Sequence, residues 1–149
     1  KIKIKISVKN QINNELAQGL DNLKVYKKFA LNSLKSRNKL VKLFDNIKIK
    51  KKKIIGYGAT AKATTVLNFC NIDNNKIDYF VDTTPDKANK YMPGTKIKIF
   101  KYNERLIHKA DYIFLGAWNF KDEIFEKEIS FIKKGGRFIS HVPKPKIIK

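Results

Sequence analysis

The sequence predicts an α/β fold, in which helices cover both faces of a parallel β-sheet and a long helix precedes the sheet. Two observations indicate this class. After residue 53, short apolar strand segments alternate with helical segments, which is typical of parallel sheets that are buried on both faces. The first of these strands leads directly into a glycine turn and then into a helix.

The chain begins with KIKIKISVKN, in which the apolar residues at positions 2, 4, 6 and 8 alternate with polar ones. A period of two predicts a β-strand with one covered face. No partner for this strand is evident, and it starts without a methionine or a preceding turn. We therefore expect residues 1–11 to be a strand of a missing upstream domain, and residues 12–149 to form the domain itself.

Between Ile12 and Phe44, apolar residues recur mostly three, four or seven positions apart. This spacing predicts one long amphipathic helix, with a break near residues 32–38. The basic run at 48–53 is predicted to be a solvated connection to the first strand of the sheet.

The remaining elements follow in order. The segment KDEIFEKEISFIKKGG has acidic Asp122 and Glu123 in its first turn and Gly135 at its end, as expected of a helix with a favourable dipole and a glycine cap. The other predicted helices are TAKATTVLNFC and NERLIHKA, and the predicted strands are KIIGYG, KIDYFVD, KIKIF, DYIFLGAW and RFISHV.

Composition limits the possible functions. The net charge of +20 resembles that of a nucleic-acid-binding protein, but only three of the 33 basic residues are Arg, and the lysines are scattered. Composition bias explains the charge better, so nucleic acid stays a minor alternative partner. No apolar stretch is long enough for a membrane span, and the start lacks the pattern of a secretory signal, so we expect a soluble, cytoplasmic protein without a membrane partner. The single Cys70 cannot supply a metal site alone, and no metal ligands are predicted.

The turn after the first strand contains Gly56, Gly58 and Ala61 in the pattern GxGxxA. Such turns let a phosphate or sugar approach the backbone, and Asp82 at the end of the next strand is placed to accept hydrogen bonds from a ribose. The alternative is that the glycines only make a close turn and that Asp82 only caps a loop. The sequence offers no catalytic residue, since no nucleophile–base set or Walker loop is present.

Four segments together resemble the C-terminal domain of S-adenosylmethionine-dependent sugar C-methyltransferases: GYGATAKATTVLNFCNI, IDYFVDTTPDKANKYMPGTKIKI, DYIFLGAWNFKDEI and KKGGRFI. The resemblance covers residues 16–143. The positions that match the pattern of the family are Gly56, Gly58, Ala61 and Lys62, then Asp82, Pro85 and Lys87, then Pro93, Gly94 and Thr95, then Trp118 and Asn119.

The resemblance implies a Rossmann-like domain that binds a nucleotide-linked deoxysugar (an NDP-sugar). It also implies a separate methyltransferase domain that holds the cofactor S-adenosylmethionine and the catalytic base, so this chain alone binds no cofactor and methylates nothing. The implied roles are phosphate contacts from the amides of the turn, with Lys62 and Lys87 nearby, stacking by Trp118 and a hydrogen bond from Asn119. The turn residues concerned are Gly58, Ala59, Thr60 and Ala61.

Each of these side chains also has a plainer interpretation: Lys62 and Lys87 as solvated lysines, Trp118 as core and Asn119 as a helix N-cap. The sequence departs from the family pattern at Ala63, where a glycine is usual, and at Lys98, where a proline is usual. The zinc-binding cysteines and the methyl-donor domain of the family are absent from these residues. The alternative function is a stand-alone Rossmann-like module that binds NAD(P) or another nucleotide.

Overall fold

The computed structural model describes residues 4–149, which form two compact units that meet in sequence at Lys35 and Ser36. The first unit contains helix α1 (Ile6–Ala17) and the start of helix α2 (Leu23–Ile49). The strand predicted for residues 1–11 is wrong from Ile6 onward, and residues 1–3 lie outside the described part. A helix satisfies its backbone hydrogen bonds within one segment, whereas a strand needs a neighbour.

The predicted long helix is divided at a different place from the one expected. The break lies at residues 18–22, and α2 runs without interruption through residues 32–38. Gly19, with φ of +70°, takes the left-handed conformation that ends α1. The side chain of Asn22 then accepts a hydrogen bond of 2.9 Å from the Lys24 amide, which caps the start of α2.

The second unit is built on a six-stranded sheet in the order β3-β2-β1-β4-β5-β6. The first five strands pair in parallel, and β6 pairs antiparallel with β5. The five predicted strands and the Rossmann-like order are confirmed, whereas β6 was missed because its lysines and the prolines before it conceal the pattern. The strands are β1 (Ile54–Tyr57), β2 (Phe80–Asp82), β3 (Ile99–Lys101), β4 (Tyr112–Leu115), β5 (Arg137–Ser140) and β6 (Lys146–Ile148).

Four helices follow α2 in the second unit: α3 (Ala61–Cys70), α4 (Glu104–Ile107), α5 (Lys121–Lys127) and α6 (Ile129–Lys133). The last two replace the single helix that was predicted, because the chain leaves regular helical geometry at Glu128. Two 3-10 turns, Pro85–Lys87 and Trp118–Phe120, follow β2 and β4.

The sheet has an apolar core on each face, as predicted. Adjacent residues of a strand enter opposite cores, as Ile54 and Ile55 of β1 do. One core is closed by residues 40–47 of α2 together with α3, and the other by α4, α5 and α6. Within residues 4–149, no helix combines the length and the apolarity that crossing a membrane requires.

Candidate functional site

A pocket of about 360 Å³ lies beyond the carboxyl ends of β1, β2 and β4. In open parallel sheets this is where ligands bind, at the point where the strand order reverses. The pocket is lined by residues from the turn after β1, the loop after β2 and the segment from β4 into α5: Tyr57, Gly58, Thr60, Asp82, Thr83, Thr84, Lys87, Ala117, Phe120, Glu123, Ile124 and Lys127.

The two glycines of the GxGxxA motif, Gly56 within β1 and Gly58 in the turn after it, are needed for close packing. A side chain at Gly56 would overlap the ring of Phe80 on β2. Gly58 has a φ of +82°, and a Cβ there would lie 2.5 Å from the Cβ of Ala117. Only glycine fits either position, so the turn can lie directly against the chain that leaves β4.

The backbone amides of this turn donate within the protein. The Gly58 amide donates to the Val81 carbonyl at 2.9 Å, and the Thr60 amide to the Gly58 carbonyl at 3.0 Å. The Ala59 amide donates to Oδ2 of Asp82 at 2.7 Å. Three of the four residues predicted to offer amides to a phosphate therefore use those amides to hold the turn in place.

Asp82 is the centre of a hydrogen-bond cluster at the end of β2. It is buried, with 6% of its surface exposed. Besides the hydrogen bond from the Ala59 amide, its carboxylate accepts one from the Thr84 amide at 2.8 Å and one from Nζ of Lys87 at 3.1 Å. Burial opposes the charge, but hydrogen bonds from Thr84, Lys87 and Ala59 outweigh it and hold the pKa of Asp82 below its ordinary value. The cluster joins the turn after β1 to the loop after β2.

Thr60 begins α3 and ties it to β4. Thr60 is the N-cap, and its hydroxyl accepts a hydrogen bond of 3.1 Å from the Ala63 amide. The same hydroxyl donates a hydrogen bond of 2.9 Å to the Gly116 carbonyl. Ala61 and Lys62 follow in the exposed first turn of the helix. The structure thus brings Gly58, Thr60, Asp82 and Lys87 together in the lining of the pocket.

Trp118, Asn119 and Lys62 lie beside the pocket rather than in its lining. Nζ of Lys62 sits 5.5 Å from the centroid of the Trp118 ring, so these two side chains pair with each other. Trp118 also packs against the core closed by α4 to α6. Asn119 is exposed within a 3-10 turn and is not the N-cap of α5, a position that Phe120 occupies.

Several lining residues were not predicted. Phe120, 52% exposed, presents an aromatic ring, and Thr83, Thr84 and Glu123 add polar side chains. Lys127, whose Nζ lies 3.5 Å from the centroid of the Tyr102 ring, adds a second cation. The available signal was positional: TT directly follows the strand that ends at Asp82, and F directly follows the WN motif.

A buried carboxylate, Glu128, lies next to Tyr57, which lines the pocket. Glu128, at the junction of α5 and α6, is fully buried, and its carboxylate lies close to the hydroxyl groups of Tyr57 and Tyr102. Burial raises the pKa of both Tyr57 and Tyr102, and a hydrogen-bonding contact with the Glu128 carboxylate and the charge of that carboxylate raise it further. Because Tyr57 lines the pocket, the charge of Glu128 affects a residue of the site without itself belonging to the lining.

Within the described part of the chain, no group of three or more His, Cys, Asp or Glu residues is arranged to hold a metal ion. Cys70 is buried in the core, where burial raises the pKa of its thiol while the charge of Arg37 lowers it to a smaller extent. His141 lies at the end of β5, its ring centroid 5.4 Å from that of Phe114, and burial lowers its pKa.

Comparison with known proteins relates this chain to a protein family and to a curated relative. A family model described as the C-methyltransferase C-terminal domain matches residues 1–143. The C-methyltransferase NovU of Streptomyces niveus is 32% identical over 145 residues, which make up 97% of this chain and 34% of that protein. The chain therefore spans about a third of the length of this relative.

Proposed function

Because the chain belongs to the C-methyltransferase C-terminal domain family, we propose that it is the part of a sugar C-methyltransferase that binds the NDP-sugar substrate. The observation that carries this proposal is the pocket beyond β1, β2 and β4, which combines two lysines, several hydroxyl groups and an exposed aromatic ring. These are the groups that a ligand made of a base, a diphosphate and a sugar requires.

In this proposal the diphosphate is held mainly by side chains. Both Lys87 and Lys127 line the pocket, but Lys87 is already paired with Asp82 at 3.1 Å. Lys127, which forms no ion pair within residues 4–149, is therefore the proposed source of positive charge. The amides of Gly58, Ala59 and Thr60 already have acceptors within the protein. Charge from Lys127, together with the dipole at the start of α3, is therefore the main source of phosphate affinity in this proposal.

Phe120 is the proposed stacking surface for the base. Its ring is exposed at the pocket, whereas the ring of Trp118 is covered by Lys62 and packs on the core. The hydroxyls of Thr83 and Thr84 can donate hydrogen bonds to the hydroxyl groups of a sugar or accept them, and the carboxylate of Glu123 can accept them. Trp118 and Asn119 then form the outer edge of the site.

The geometry favours an NDP-sugar over a dinucleotide. An NAD(P) site of the kind that GxGxxA suggests uses turn amides for the pyrophosphate and a carboxylate for the ribose. Here the amide of Ala59 and the carboxylate of Asp82 bind each other, and Lys87 and Thr84 occupy further positions on that carboxylate. Both groups that a dinucleotide would use are engaged.

The methyl-transfer chemistry belongs, in this proposal, to an upstream domain that binds S-adenosylmethionine, in the cytoplasm. The chain spans about a third of its relative, which leaves room in such a protein for a domain of that kind. No catalytic role is assigned to any residue of this chain, and its contribution is to hold and orient the substrate.

The test is a calorimetric titration of the 149-residue chain with a dTDP-linked deoxysugar, with NADH, and with single-stranded DNA at two salt concentrations. We expect saturable binding of the dTDP-sugar alone. Replacing Phe120 or Lys127 with Ala should weaken it about tenfold, since stacking on a base and a charged hydrogen bond each contribute about that much. The exposed residues Phe69 and Lys133 provide matched control variants to Ala.

Equal affinity in the Phe120→Ala variant and the Phe69→Ala control would contradict the proposed stacking. Affinity for NADH without affinity for the dTDP-sugar would favour the dinucleotide module instead. Affinity for DNA alone, falling steeply with salt, would indicate that the lysines serve a nucleic acid.

A further inference from the structure

The first unit of the chain exposes an unusual amount of apolar surface. Helix α1 has no buried residue, although it carries apolar side chains spaced four apart at Val8, Ile12 and Leu16. Ile6 and Phe29 are each 71% exposed. The other exposed large apolar side chains up to Lys35 are Ile4, Leu20, Leu23, Tyr26, Leu31 and Leu34, and together with those named above they form the unit-1 apolar surface.

This surface is too large to be incidental scatter. Eleven large apolar side chains are exposed within residues 4–34. Single exposed apolar residues are normal on soluble proteins, but this many on two consecutive helices indicate an interaction site. Covering a fully exposed Leu or Phe side chain typically gains about 1.5–3 kcal/mol, so a few of these contacts are enough to hold a partner.

We propose that the unit-1 apolar surface is the docking site for the rest of a C-methyltransferase polypeptide, the part that carries the methyl donor. The inference rests on the proposed function, in that it takes the chain to work beside such a part. The family is described as a C-terminal domain, and the relative is about three times as long as its matched segment. A partner of that size has ample surface to cover two helices.

Charge argues against a second copy of this chain as the occupant. The chain has a net charge of +20, and residues 4–35 contain six lysines but only two acidic residues. Two identical lysine-rimmed surfaces would repel each other at the edges of the interface. The favoured partner therefore has an apolar patch with an acidic rim.

The experiment mixes the 149-residue chain with a separately expressed part of the Streptomyces niveus relative, namely the residues outside the match. Binding is measured by calorimetry and sedimentation velocity. We expect a one-to-one complex, weakened at least about tenfold when both Leu16 and Phe29 are replaced with Gln. Phe69→Gln, which changes an exposed aromatic residue in the second unit, should leave the complex unchanged. Helical circular dichroism checks that the Leu16/Phe29 variant stays folded.

Absence of a complex, or a complex that Phe69→Gln weakens as much as the Leu16/Phe29 variant does, would overturn the proposal. So would a dimer of the chain alone that the Leu16/Phe29 variant dissociates, because the occupant would then be a second copy. The same variants are titrated with the dTDP-sugar, whose pocket lies in the second unit. Normal sugar affinity without docking refutes only the surface, and docking without sugar affinity refutes only the proposed ligand.

Discussion

Replacing Asp82 with Asn should destabilise the second unit by about 2–4 kcal/mol. Oδ1 of the carboxylate accepts a hydrogen bond from the Thr84 amide. Oδ2 accepts hydrogen bonds from the Ala59 amide and from Nζ of Lys87. Asn keeps one acceptor oxygen, so one of the two backbone amides loses its charged partner, which costs about 1.5–3 kcal/mol. The partly exposed ion pair with Lys87 adds only about 0–1 kcal/mol.

The assay is urea unfolding of wild type and Asp82→Asn at several pH values, followed by circular dichroism. The pKa of Asp82 in the folded protein lies below its ordinary value of 3.8. The stabilisation is therefore fully present above that value and is lost as the pH falls through the lower folded pKa. The difference between the two proteins should be constant from about pH 7 to about pH 5 and should shrink toward about pH 3.

Asp86→Asn is the matched control, because Asp86 is exposed in the adjacent 3-10 turn. It should change the free energy of unfolding by less than about 0.5 kcal/mol. The reasoning fails if Asp82→Asn costs no more than this control, or if its cost does not decline in acid. Either result would mean that the carboxylate does not hold the two loops together.

Three further predictions follow from the geometry. Gly58→Ala should lower the free energy of unfolding, measured in urea, by about 2–4 kcal/mol, since it combines a positive φ with a close contact. The control Gly135→Ala has a similar φ but open space around it, and it should lower the same free energy by about 1–2 kcal/mol. Glu128→Gln should lower the pKa of the two nearby tyrosines, measured by phenolate absorbance, because a buried negative charge is removed; Glu126→Gln, an exposed change on the same helix, should not. Cys70 should react with a thiol reagent at least about 100-fold more slowly in the native chain than in urea, since the group is buried and its pKa is raised.

Three outcomes would contradict these predictions. Equal costs for the two glycine variants would show that the turn after β1 is not tightly packed. An unchanged tyrosine titration in Glu128→Gln would remove the electrostatic link between this carboxylate and the pocket. Complete labelling of native Cys70 within the mixing time would place the thiol outside the core.

The sheet was predictable because its signals are local and mutually consistent. The strands β1, β2, β4 and β5 are apolar segments flanked by turns or helices, and buried parallel strands have little other way to appear in a sequence. The N-terminal segment was predicted wrongly because its Ile–Lys alternation fits a strand, although Val8, Ile12 and Leu16 of α1 are also spaced four apart, as in a helix. The place of the helix break depended on Gly19, a single residue with a left-handed backbone.

The position of the candidate site was predictable from the sequence, but the side chains that line it were only partly predictable. The GxGxxA turn and the strand that ends at Asp82 locate the pocket, since parallel strands bring their carboxyl ends to one edge. Which side chains line it depends on tertiary packing that no motif encodes. Trp118 turned toward the core and Lys62, while Phe120, two residues later, lies at the pocket. The engagement of the Ala59 amide depended on the Asp82 rotamer, and that of the Gly58 and Thr60 amides depended on the backbone path of the turn. The sequence specifies neither.

Amide NMR of the 149-residue chain during titration with a dTDP-linked deoxysugar tests the central claim most directly. We expect saturable shift changes at Gly58, Thr83 and Phe120, which line the pocket, with the loop around Gly94 unchanged as an internal control. No saturable change, or changes centred on the loop around Gly94 and absent from the pocket, would contradict the proposal that this domain binds a nucleotide-linked sugar beyond β1, β2 and β4.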